Sequence, residues 1–522
     1  MARRLWVSIG MLVVGVAPLV AAQLVGAAPG RKGGVFKFGT TGASVQIDPQ
    51  LSYVTAGWWL EYATAAKLYN FSPRGALVPE VASRFFVSNG GKRYTFLIRQ
   101  GFRFSDGTPV TAWSFTYAFA RASNPELASP AAPFIADVTT ARAKGRRLII
   151  DLRKPDSSFV SKLTMPFFQA TSTKLPLTEE VVTVDNITDM PSAGPYAFSR
   201  NHANELTSIR RNPFWKPVAG PNRTRNLAGV DVFWSLDEQV AFDKAEASEL
   251  DQGPIPAAEV ERVATRYGVN KTRFWTKPGP CIGWIPFNTG AGLFANNAPM
   301  RKAVNWALDR QDYAGTTSAY VAQPLTHFLP PGYPGSITAK KLQPYAPTSN
   351  LAKARSLAAG HFKDGKITVY YRSSGTANQA QAEIVRQALV DLGFEPGNIT
   401  MKGFAGGDIY TAIAKTGTDA DMGVSMGFCS DDPDPLNYLK LGAPISLPSK
   451  YRQKIEAADE LTGAARLKAF GRLDLALTRN FAPAAVMRTY NNRSFFSDRV
   501  DPRSLRYHVV YQDWSIPALA LK

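Results

Sequence analysis

The sequence predicts a mixed α/β fold divided into several domains, and three observations predict it. A chain of 522 residues that is 45% apolar and only 19% charged carries enough apolar side chains for a large buried core. Apolar residues recur every second position in some segments and every third or fourth in others, interleaved along the chain. Proline- and glycine-rich stretches at 217–221, 278–280 and 330–335 punctuate the pattern as candidate interdomain seams, and the length suits two to four domains. No internal repeat or low-complexity tract is readable.

The elements follow in order. Residues 33–38 (GGVFKF) read as a first strand. Asn89-Gly90-Gly91 is a turn into a strand over 92–98, with Tyr94, Phe96 and Ile98 on one face. Residues 102–104 read as a short strand, followed by the turn Ser105-Asp106-Gly107-Thr108-Pro109. Thr111 caps a helix to about Arg121, and strands follow at 147–152 and 230–234. Pro299 opens an amphipathic helix with Met300, Val304 and Ala307 on one stripe. A strand at 367–371 leads to a helix through Ala382, Val385, Leu389 and Leu392, stopped by Gly393. Residues 451–479 read as helical.

The N-terminus predicts export. Arg3 and Arg4 precede an apolar run from Trp6 to Val16, and small residues follow at Gly26-Ala27-Ala28. A basic start, a short apolar stretch and small residues before a cut site describe a secretory signal over residues 1–28, cleaved near Ala28. The rival is an uncleaved anchor, since no charge occurs over residues 5–30, but Pro18, Gln23 and four glycines interrupt that span. No cysteine stands near the cut site for a lipid anchor, and no later segment is apolar enough to span a membrane, so the expected location is the periplasm or cell envelope.

The formal charge is +19, yet the basic residues stand singly, as at Arg99, Arg103, Arg121 and Arg142, or in small groups such as 144–147. This pattern predicts a dispersed, solvated basic surface and no nucleic-acid partner. Four histidines, none at ligand spacing from another, and two cysteines argue against a metal centre, and no phosphate- or dinucleotide-binding glycine motif occurs, so no cofactor is expected. In an oxidising compartment Cys281 and Cys429 either pair or remain two buried thiols.

Two further motifs carry chemistry. Gly423-Val424-Ser425-Met426-Gly427 has the spacing of a hydrolase nucleophile elbow, but the prolines at 433 and 435 prevent the helix such a serine needs. A serine hydrolase using Ser425 is therefore the minor alternative to a chain that is not an enzyme. Asp431, Asp432 and Asp434 crowd three carboxylates into four residues, either as capping aspartates of a loop or as ligands for a cation.

Along nearly its whole length after residue 28 the chain resembles extracytoplasmic solute-binding proteins of the peptide (dipeptide/oligopeptide) class that serve ABC importers. The resemblance is carried by Ile47-Asp48-Pro49, by 77–82 (LVPEVA), by 104–112 (FSDGTPVTA), by Gly194-Pro195-Tyr196 and by 211–215 (RNPFW). It continues through Phe287-Asn288-Thr289, 300–310 (MRKAVNWALDR), 329–332 (LPPG) and Leu392-Gly393-Phe394. Ser114 departs from it, standing where an acidic residue is common.

The resemblance implies a two-lobed periplasmic-binding-protein-like fold of the class II type, with an extra subdomain inserted in the first lobe. The first lobe would combine 29–70, 191–283 and 488–522, the subdomain would be 71–190, and the second lobe 284–487, with hinge strands near 282–288 and 486–490. It implies a Cys281–Cys429 disulfide and places Asp431, with Asp432 beside it, where a peptide's α-ammonium is bound. Asn288, Trp58 and Trp59 are expected to line the cleft, and Arg372 to meet a ligand carboxylate. The implied function is capture of short peptides between the lobes by a monomer that closes and delivers them to a membrane permease. An oligosaccharide, an opine or a metal chelate is the alternative solute on the same scaffold.

Overall fold

The computed structural model describes residues 33–72, 75–217, 224–317, 320–430 and 432–522. The expected signal segment 1–28 and Asp431 lie outside the described residues, as does most of the 217–221 seam.

Two long antiparallel strands organise the molecule, Phe274–Pro286 and Ala484–Phe496, each of 13 residues. At one end they pair through Phe274↔Phe495 to Pro278↔Asn491, and at the other through Ile282↔Thr489 to Pro286↔Ala484, with the register broken between Pro278 and Ile282. The sequence there is Pro278-Gly279-Pro280-Cys281, and a proline has no N–H for the ladder. A Cβ on Gly279 would stand 2.9 Å from the Tyr490 carbonyl oxygen, so the close approach of the two backbones requires glycine. The expected seam at 278–280 is thus a kink inside a strand rather than a linker between elements.

On one side of this break lies the first lobe. Its half of the nine-stranded sheet adds Gln252–Gly253, Val35–Gly39, Gly229–Phe233, Leu206–Arg211 and Tyr196–His202. Phe36, Leu60, Tyr196, Ile209 and Val230 form its core. On the other side, the second lobe holds a parallel sheet of Ile367–Arg372, Ile399–Phe404 and Met422–Val424, crossed by the helix Thr376–Leu392. The stripe expected on the helix Ala298–Ala307 packs there, with Met300, Val304 and Ala307 buried. A third core fills a four-stranded antiparallel sheet over Ala82–Ser88, Arg93–Ile98, Arg147–Leu152 and Val138–Lys144, covered by the helix Ala112–Ser123. Tyr94, Phe96 and Ile98 face that core together, as period-two spacing demands.

Most expected elements form within two residues of their predicted bounds, and three expectations need correction. Residues 102–104 make a single bridge, Arg103↔Pro109, because the turn at 105–109 reverses the chain before a ladder can grow. The helical region 451–479 is two helices, Ser449–Asp459 and Gly463–Asn480, separated where Gly463 takes a φ of 57°. Arg121 is not part of a solvated basic surface. It is fully buried, and its guanidinium donates to both Asp48 oxygens at 3.0 and 2.7 Å and to Gln50 at 2.9 Å. Ser114, which departs from the resemblance, accepts the Thr111 N–H at its Oγ at 3.2 Å and closes a capping box.

Candidate functional site

Where the two lobes face each other a cavity of about 400 Å³ opens, a volume suited to a small solute. Its first-lobe wall is aromatic. The helix Thr55–Thr64 places Trp58 and Tyr62 four residues apart, hence on one face. The Trp58 indole donates to the Ser52 carbonyl at 2.7 Å and meets Phe167 edge-on at 5.4 Å. Tyr62 stacks on Tyr511 from the C-terminal segment at 3.8 Å, and Tyr511 stacks on His508 at 3.9 Å.

Buried charges set this stack from beneath. Lys67 donates to the Tyr511 hydroxyl at 2.9 Å and stands 4.7 and 4.6 Å from the Tyr62 and Tyr511 ring centres. The Tyr511 hydroxyl bonds Asn70, whose amide donates to Glu80 at 3.1 Å. Burial pushes the Lys67 ammonium down and the Glu80 carboxyl up, each opposed by the charge of the other. His508 accepts the Tyr511 N–H at Nδ1, so its Nε2–H donates to the Phe71 carbonyl at 3.0 Å, and burial lowers its pKa to about 4. Asp513 completes the wall, with burial raising its carboxyl to about 7.

The second-lobe wall is a hydrogen-bonded loop. A disulfide joins Cys281 on the long crossing strand to Cys429 on Met426–Cys429, whose backbones pair directly. The Tyr333 hydroxyl lies 2.6 Å from Ser430 Oγ and donates to the Asp432 carbonyl at 2.6 Å. Asn437 donates to Ser430 Oγ at 3.1 Å and to the Asp432 side chain. Beneath the loop Arg466 grips both oxygens of Asp434 at 2.8 and 2.9 Å and one oxygen of Asp459 at 2.6 Å. Asp434 is thereby a structural anchor with an ion-pair partner. No lysine or arginine is among the described residues lining the cavity, although the chain carries a formal charge of +19.

The residues singled out by sequence divide sharply. Trp58 and Asp432 line the cavity. Trp59, one helical step round from Trp58, is 5% exposed in the first-lobe core and donates to the Trp514 carbonyl at 2.8 Å. Asn288 is buried outside this cavity, its amide donating to the Ala420 carbonyl at 3.0 Å and its oxygen accepting the Ala291 N–H at 3.1 Å. Arg372 ends a strand of the parallel sheet with its guanidinium 5.7 Å from the Tyr410 ring, also away from the lining. Ser425 sits at φ 60° between two short strands, with no helix after it, and its hydroxyl lies 2.8 Å from the Gln381 amide. Tyr62, Tyr333, Tyr511 and Asp513 were missed. The four-residue spacing of Trp58 and Tyr62 was the available signal for one of them.

Comparison with known proteins agrees with this architecture. The profile of the bacterial extracellular solute-binding proteins, family 5 (middle region), matches residues 76–443, more than two thirds of the chain. The oligopeptide-binding protein OppA of Bacillus subtilis (strain 168) is 24% identical over 272 residues, 49% of each chain, so that match spans about half of its length. The probable deoxycholate-binding periplasmic protein YgiS of Escherichia coli (strain K12) is 26% identical over 375 residues, 67% of each chain. Among solved structures, the unliganded open form of the periplasmic murein tripeptide binding protein MppA superposes with a TM-score of 0.78 at 18% identity, covering 94% of this chain and 97% of that one, a likeness of fold. Among the described residues no helix is long and apolar enough to cross a membrane. With two lobes, two crossing strands, a cavity between them and a profile match over most of its length, the chain belongs to family 5 of the bacterial extracellular solute-binding proteins.

Proposed function

We propose that the protein is the capture component of an ABC importer for short peptides, working without catalysis in the periplasm or cell envelope. The observation that carries this reading is the interlobar cavity, whose described lining residues offer carboxylates and aromatic rings but no lysine or arginine, in a strongly basic chain. A peptide's α-ammonium needs an anionic partner once it leaves water, and a carboxylate in the cavity wall supplies one. The oligopeptide- and dipeptide-binding relatives named OppA and DppE support peptides as the solute. In this reading Asp431, between the cavity-lining residues Ser430 and Asp432, receives the ammonium, and the aromatic wall receives side chains with little selectivity.

The lobes would move about the break at 278–282 in the crossing strands, and a ligand that touches both walls favours the closed arrangement by its differential affinity for it. The expected division remains 29–70, 191–283 and 488–522 for the first lobe, 71–190 for the subdomain and 284–487 for the second lobe. Calorimetry with trialanine and its N-acetylated form tests the reading. The free amine should bind, N-acetylation should weaken binding at least a hundredfold, and Asp431→Ala should do the same without loss of folding, since about 3–5 kcal/mol is at stake when one partner of a buried pair is removed. Equal binding of the acetylated peptide would remove the ammonium from the account. The aromatic wall favours one other reading, a stacking solute such as an oligosaccharide, which tight binding of a sugar with none of trialanine would establish.

A further inference from the structure

The electrostatics of the cavity do not end at the 430–432 loop. Asp513 lies on the opposite wall, in the strand Asp513–Trp514 paired with Tyr507–His508. It is half-buried, and the hydrogen bond it accepts comes from the Trp514 N–H at 2.7 Å. No ion pair within 4 Å joins it to a lysine, arginine or histidine of the described residues. The Lys67 ammonium, behind the same aromatic wall, bonds the Tyr511 hydroxyl. Two buried aspartates elsewhere are held by arginines, Asp48 by Arg121 and Asp434 by Arg466. Asp513, with no such partner among the described residues, stands in the cavity wall beside Tyr62 and Tyr511. A carboxylate among aromatic faces is the arrangement that takes an organic cation from water, the rings attracting its charge and the carboxylate its N–H groups.

We propose that Asp513 binds a second cationic group of the solute, an ammonium or guanidinium carried on a side chain, so that the cleft prefers basic peptides to neutral ones. This rests on the reading of the cavity as a peptide site and adds the class of peptide it selects. The first-lobe wall then contributes charge recognition as well as packing surface, and a basic peptide is held at both lobes while a neutral one is held at one.

The test is titration calorimetry on the whole exported protein with Ala-Ala-Ala, Ala-Lys-Ala and Ala-Arg-Ala. At least one basic peptide should bind tenfold or more tightly than trialanine. In Asp513→Asn that ratio should fall below about twofold, and Asp513→Glu, which restores the charge, should bring the preference back. Equal affinities in the wild type, or a preference that survives Asp513→Asn, would overturn the proposal while leaving peptide binding intact. If no peptide binds, the peptide reading fails by itself. Agmatine, a bare guanidinium and amine, then decides the role of Asp513, since binding that is lost in Asp513→Asn supports it and the absence of binding overturns it.

Discussion

The two walls of the cavity are built on opposite physical plans. The first-lobe wall is a stack of rings, Trp58, Tyr62, Tyr511 and His508, backed by Phe167 and by charged groups buried below it. The second-lobe wall is a loop whose polar groups are held by one disulfide, the Tyr333 hydroxyl, Asn437 and the Arg466 ion pairs. Packing positions a surface, whereas directed bonds position polar atoms. The difference teaches a division of labour, in which the first lobe presents broad faces that tolerate many shapes and the second presents polar groups fixed in place.

The comparison is most exposed to removal of the disulfide. The bridge closes a sequence separation of 148 residues, worth about 5 kcal/mol in the chain-entropy account. Cys281→Ser with Cys429→Ser should therefore cost several kcal/mol in denaturant unfolding, and hydrogen exchange should show amides of 430–437 losing protection while those of 58–64 keep theirs. Equal loss on both walls would mean that they are one unit and not two.

A matched pair of substitutions sharpens the contrast. Arg466→Ala leaves the buried carboxylate of Asp434 without its cation, and Phe167→Ala opens a cavity behind Trp58. Each should cost about 3–5 kcal/mol, the first through an uncompensated charge and the second through lost packing. The mechanisms separate by rescue. Adding Asp434→Asn should recover part of the Arg466→Ala loss by removing the unpaired charge, whereas Phe167→Leu should cost less than Phe167→Ala by refilling the space, as urea titrations would read.

How much of each wall was legible in the sequence follows from the same contrast. Local signals carried the scaffold, because strand alternation at 94–98, the Thr111 cap and the stop at Gly393 act within a few residues. The loop at 430–434 was legible as an acidic run beside a cysteine. The sequence presents the two tryptophans as a pair, although adjacent helical residues point about 100° apart, and Trp58 faces the cleft while Trp59 faces the core. Residues 507–514 offered no motif. Their role comes from contacts such as Tyr511 with Tyr62 and Lys67, more than 400 residues upstream, and a single chain gives no sign of so distant a pairing. The burial of Arg121 is hidden for the same reason, its partner Asp48 being 73 residues away.

The smallest expected effect tests whether Asp513 is held at a cost to the fold. An aspartate titrates near 3.9 in an unfolded chain, and burial raises this one to about 7. Between those values the folded protein keeps a proton that the unfolded chain releases, so the contribution of this group to stability is complete below about pH 4 and is lost as pH rises to 7. Above pH 7 the ionised carboxylate sits in the aromatic wall without an ion-pair partner among the described residues, and Asp513→Asn removes that burden. The variant should be more stable than the wild type by about 1–2 kcal/mol at pH 8, a value reduced from full burial because the group is partly exposed, and the advantage should vanish near pH 4. Other groups titrate in the same window, among them Glu80 and Lys67, but they are common to both proteins and cancel in the difference. A variant less stable than the wild type at pH 8 would show that Asp513 supports the first-lobe wall, and the contrast between a packed wall and a bonded one would then lose its clearest example.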